Sequence, residues 1–214
     1  MRIASLSLLI LCLALATASA QTLFTSGAIN GNLNAFFIDG PGGPFGQSIS
    51  NGFVDTTSGS ATTLNFGEWT LGGAPTTVQW AIGTSSFGGT LSGPTAVTST
   101  FLGTNAFGYG IYNTQVAISG SLTAGNTYYL TLSGANDAGG SQFDGWDDNE
   151  SPVASCYFEN PNGSGGCPTT ESEAFTISGG TTTTGGTTPE PSSIMLLGSG
   201  ILGLAGVLRR KLSR

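Results

Sequence analysis

The chain has 214 residues and a formal net charge of −7, with five Lys and Arg against twelve Asp and Glu and no His. All five cations sit at the ends, Arg2 at one and Arg209, Arg210, Lys211 and Arg214 at the other, so the stretch between them has no basic side chain. This excludes from that stretch His-ligated metal centres, Ser-His-Asp and Cys-His catalysis and Schiff-base lysine chemistry, and it excludes nucleic-acid binding, which depends on cationic phosphate contacts.

The first predicted element is a secretory signal peptide over residues 1–20. Met1-Arg2 is a minimal positive region, Leu6 to Leu15 an apolar run, and Ala18-Ser19-Ala20 a small-residue site for signal peptidase before Gln21. The run is short for a membrane span. Basic residues confined to the ends of an otherwise acidic chain also fit export, because Lys and Arg are retained on the cytoplasmic side.

Residues 21–179 form the expected ectodomain. Gly, Ser, Thr and Asn dominate it, but Phe, Tyr and Trp recur along its whole length, which a disordered chain of low charge lacks. The periodicity is mostly two. In chain order the candidate strands are Leu33 to Ile38, Ser48 to Asp55, Thr62 to Trp69, TTVQWAI with Val78, Trp80 and Ile82 on one face, Ala96 to Gly103, Tyr109 to Ser119, TYYLTLS with Tyr128, Leu130 and Leu132 on one face, and EAFTIS with Phe175 and Ile177 on one face. In TTLNFGEWTL the alternation of Leu64 and Phe66 changes phase at Gly67 before Trp69 and Leu71, which reads as a β-bulge. Seven to nine strands separated by Gly, Pro and Asn turns predict an all-β antiparallel sandwich, jelly-roll or immunoglobulin-like.

Carboxylates are the remaining acid-base groups in this region. A glycosidase pair is chemically allowed, and Asp55 and Glu68 are the strand-based candidates; solvated strand-edge acids are the plainer reading. The segment DGWDDNE groups Asp144, Asp147, Asp148 and Glu150 in seven residues. Calcium takes six to eight oxygens and suits such a loop, but the spacing departs from an EF-hand, and a solvated acidic loop is the alternative. Trp146 reads either as a platform for a sugar ring or as a packing residue. With Cys12 removed in the signal peptide, Cys156 and Cys167 are the only pair in an oxidising compartment and are expected to form a disulfide.

A Gly/Thr-rich stalk follows at 180–188, a flexible spacer by composition. The tail, residues 189–214, begins with Pro189, Glu190 and Pro191, continues with fifteen uncharged residues from Ile194 to Leu208, and ends in a basic cluster led by Arg209, Arg210 and Lys211. A helix of that length reaches about 22 Å, a short transmembrane helix for a hydrocarbon core of about 30 Å.

This tail resembles the PEP-CTERM sorting signal, with Pro189, Glu190 and Pro191 as the motif, Ile194 to Leu208 as the membrane helix, and Arg209, Arg210 and Lys211 as the membrane stop. The resemblance implies recognition by an exosortase, a membrane-embedded cysteine protease or transpeptidase of Gram-negative bacteria that make exopolysaccharide. The stretches SNGFVDTT, WAIGTSSFGGT, TYYLTLSGA, WDDNESP and SEAFTISG also resemble the ectodomains of uncharacterised PEP-CTERM proteins, which implies a shared architecture and no assigned activity. The expected protein is exported and non-enzymatic, held in the inner membrane by its tail until processing, then placed at the cell surface or in the extracellular polysaccharide with a structural or adhesive role. The alternative is a carbohydrate-binding module, with or without calcium.

Overall fold

The computed structural model describes residues 20–32, 34–140, 143–149, 157–160, 165–166 and 172–181. They fall in one compact unit, Met1–Thr182. Residues 1–19, most of the stalk and the whole sorting tail lie outside the described residues, as do Cys156, Cys167 and Glu150. Among the described residues no helix is long and apolar enough to cross a membrane.

Fourteen strands account for the described fold: β1 (Gln21–Thr25), β2 (Asn34–Phe37), β3 (Ser48–Val54), β4 (Gly59–Thr70), β5 (Pro75–Gly83), β6 (Thr95–Ala96), β7 (Thr98–Thr104), β8 (Gly110–Leu122), β9 (Thr127–Asp137), β10 (Asp144–Asn149), β11 (Tyr157–Asn160), β12 (Gly165–Gly166), β13 (Ser172–Glu173) and β14 (Phe175–Thr181). Every pairing is antiparallel. The first sheet is organised on β4. One edge of β4 pairs with β8, which carries β7, while the other pairs first with β14 and then with β10. β1 lies outside β14, β2 pairs with the outer edge of β10, and β13 pairs with the end of β10 on the same edge as β4. The second sheet runs β12-β11-β3-β9-β5-β6.

The two sheets are held by the alternating apolar residues that the sequence pattern picks out. Leu64, Phe66, Val116, Ile118, Phe175 and Ile177 from the first sheet share one core with Ile49, Phe53, Val78, Leu130 and Leu132 from the second. Phe53 bridges the layers, with its ring centroid 4.8 Å from Phe24 and 5.6 Å from Phe175. Each fully buried side chain of this size contributes about 1.5–3 kcal/mol.

Gly67 is not a bulge. The β4–β8 register runs unbroken from Thr63 to Thr70, and its irregularity lies between Ala61 and Thr63. The inward face continues in phase through Leu64, Phe66, Glu68 and Thr70, all buried, and Trp69 is buried on the opposite face. Gly67 stands where β4 exchanges β14 for β10, and a Cβ there would lie 2.5 Å from the Cβ of Asp147. Close approach of a neighbouring strand, not an inserted residue, is the reason for glycine.

The larger correction concerns DGWDDNE. Asp144–Asn149 is strand β10, paired with both β4 and β2, and all six of its residues are buried. Sequence reading places a loop there because Asp and Asn are poor strand formers. Strand pairing on both sides overrides that preference, and Asp144–Asn149 is a strand, not a loop.

Candidate functional site

The outward face of the first sheet carries a second, smaller apolar cluster. The register aligns Phe37 of β2 with Gly145 of β10, Gly145 with Trp69 of β4, and Trp69 with Ile111 of β8, so these residues form one row across four strands. Gly145 is required here, since a Cβ would lie 2.8 Å from the Phe143 ring and 2.9 Å from the Cβ of Ala35. Phe143 and Tyr109 pack over this row. An open cleft of about 390 Å³ results, lined by Asn34, Ala35, Phe37, Trp69, Phe107, Tyr109 and Phe143.

Its five lining rings, together with Phe45 stacked on Phe37 beside it, follow one another in a series of six. Centroid separations are 3.7 Å from Phe45 to Phe37, 4.7 Å to Phe143, 4.4 Å to Tyr109, 5.7 Å to Trp69 and 6.1 Å to Phe107. The two end rings face solvent, Phe45 at 47% and Phe107 at 63% exposure, whereas Trp69 is at 3%.

Polar side chains fix each segment that bears a ring. Asp39 accepts hydrogen bonds from the backbone N–H groups of Phe45, Gly46 and Gln47, closing the loop that presents Phe45. Asn105 Oδ1 accepts from the N–H groups of Phe107 and Tyr109, both at 3.0 Å, which shapes the turn between β7 and β8. Asp147 accepts from Asn30 N and Gly31 N at 3.0 Å and from Trp69 Nε1 at 2.6 Å, tying the loop after β1 to the indole. Burial pushes the Asp147 carboxyl above its usual range, opposed by those three hydrogen bonds.

The sequence-stated candidates are distributed differently. Asp147 points to the outer face, while Asp144 and Asp148 share the alternation of Trp146, which lies in the main core. The strand therefore sets Asp147 on the opposite face from Asp144 and Asp148, while Glu150 lies outside the described residues; among the described residues no group of three His, Cys, Asp or Glu side chains is placed to hold a metal. Trp146 has no exposed surface, and its Nε1 donates to Ala174 O at 3.1 Å, so it cannot serve as a sugar platform. Glu68 is sealed on the inward face of β4 and Asp55 is buried just past β3 in the other sheet, so neither is a solvated strand-edge acid and neither opens to solvent for catalysis.

Eight carboxylates, Asp39, Asp55, Glu68, Asp137, Asp144, Asp147, Asp148 and Glu173, are buried. No Lys, Arg or His is present between Arg2 and Arg209, and none of the residues lining the cleft is charged. The aromatic cleft was not singled out from sequence. Its signals were present in paired aromatics such as Phe36-Phe37, which put one ring on each side of a strand, and in Trp69, out of phase with the core residues Leu64 and Phe66.

No curated protein matches the chain. Residues 187–211 match the PEP-CTERM protein-sorting motif. The chain thus joins a β-rich, antiparallel domain to the sorting motif of exosortase substrates, and it is an exosortase-targeted extracytoplasmic protein.

Proposed function

We propose that the ectodomain is a non-enzymatic adhesive module that binds carbohydrate at the cell surface or in the extracellular polysaccharide after exosortase processing. The observation that carries this reading is the aromatic cleft and its series of six rings, solvent-exposed at both ends. Aromatic faces give flat apolar contact for the C–H faces of sugar rings, and Asn34 at the lip offers amide hydrogen bonds. Among the cleft-lining residues Tyr109 alone carries an ionisable side chain, so the lining offers no carboxylate pair for hydrolysis.

The Phe45→Ala, Phe107→Ala double variant is expected to lose at least about tenfold in retention on the cell's own polysaccharide, with an unchanged melting temperature, because both rings are exposed and carry little folding energy. Affinity electrophoresis of wild type and variant reads this directly, and equal retention refutes the glycan reading.

Sorting is tested separately. Replacing Pro189, Glu190 and Pro191 with Ala is expected to leave export intact but keep the chain uncut in the inner membrane, since the signal peptide and basic stop act apart from the motif. Fractionation followed by immunoblotting distinguishes the retained form from a normally released one, and normal release would refute a role for the motif in processing.

A further inference from the structure

We infer that the cleft takes an extended, uncharged polysaccharide chain, gripped along its length from Phe45 to Phe107, not a single sugar and not an acidic glycan. The inference rests on the glycan-binding reading and narrows it to a ligand class.

Extension follows from the layout of the rings. The series from Phe45 to Phe107 makes five centroid-to-centroid steps of 3.7–6.1 Å, and its exposed members are its two ends. One pyranose stacks on one ring face. Occupying both terminal rings takes several linked sugars, so affinity grows with chain length until both ends are engaged.

Neutrality follows from charge. No Lys, Arg or His is present between Arg2 and Arg209 to pair with a uronate or sulfate. None of the cleft-lining residues is a carboxylate, so a cationic polymer finds no counter-charge in the cleft either. Steering by opposite charge is absent, and binding rests on ring contact and hydrogen bonds.

Preorganisation favours a rigid ring over a peptide segment that must order on binding. Asp39, Asn105 and Asp147 hold the three ring-bearing segments through backbone and indole hydrogen bonds, so little freedom is lost when a flat ligand lands.

The test uses full-length protein solubilised in detergent, neutral glucan oligomers from disaccharide to hexasaccharide, and a uronate polymer, titrated calorimetrically between about 0.01 and 1 M NaCl, over which the Debye length falls from about 30 to 3 Å. Affinity is expected to rise about tenfold or more from disaccharide to hexasaccharide, with little dependence on salt. Phe45→Ala and Phe107→Ala should each flatten that length dependence. Salt-sensitive preference for the uronate polymer overturns the neutral class while leaving glycan binding intact, and equal affinity for disaccharide and hexasaccharide overturns the extended chain. Failure to bind any glycan, or self-association that requires Phe107, overturns both this inference and the reading beneath it.

Discussion

Asp147→Ala is expected to lower the unfolding free energy by roughly 3–6 kcal/mol, against a usual total of about 5–15 kcal/mol for a domain. The carboxylate satisfies three donors at once, Asn30 N, Gly31 N and Trp69 Nε1, and it is itself without exposed surface. Each buried donor left without an acceptor costs about 1–3 kcal/mol, and losing the indole contact loosens Trp69, which stacks against the exposed end ring Phe107. Asp147→Asn keeps the volume but turns an amide NH2 toward at least one of the same donors, so an intermediate loss is expected. Urea unfolding followed by tryptophan fluorescence measures both. A surface carboxylate would change stability by no more than about 0.5 kcal/mol, and a shift that small for Asp147→Ala would refute the positioning role.

The contrast between Asp147 and its neighbours explains what could be read in advance. Alternation found eight of the strands and the inward faces of Val78, Leu130, Leu132, Phe175 and Ile177, because a half-buried strand writes its core side into the sequence every second residue. It failed at Asp144–Asn149, where both faces are buried and the residues are mostly acids and Asn. A strand buried on both faces has no polar side to alternate with, and its acids are tolerated only through partners supplied by other segments. Asn30 and Gly31, 117 and 116 residues away from Asp147, are such partners, and no local pattern points to them. The cleft was illegible for a related reason. Phe37, Trp69, Tyr109 and Phe143 come from four separate segments, and Phe37 on β2 is brought beside Trp69 on β4 only through β10, the element that composition disguised.

Glu68 gives the second large expectation: the domain should lose stability as pH rises from about 4.5 toward neutrality. Burial pushes its carboxyl well above the reference value of 4.5, and the nearby Asp144 and, more weakly, Asp137 add to the rise. The Thr114 hydroxyl pulls the other way, although no hydrogen bond of good geometry reaches either Glu68 oxygen. The folded state therefore holds a proton that the unfolded state has released, so stability is greatest below the unfolded pKa and declines until the folded pKa is passed. The slope is about 1.4 kcal/mol per pH unit for each such group. Burial also raises Asp55 and Asp147, which contribute with the same sign. General repulsion in a chain of net charge −7 adds to this as well, so the informative comparison is with Glu68→Gln. That variant is nearly isosteric and stays neutral at every pH, and it should be more stable than wild type near pH 7 and show a shallower decline. Urea midpoints at several pH values decide the matter. A wild type whose stability stays flat or rises over this interval, or a variant with an unchanged slope, would mean that Glu68 is charged in the fold, which its position between Phe66 and Thr70 on the inward face of β4 makes too costly without a cation beside it.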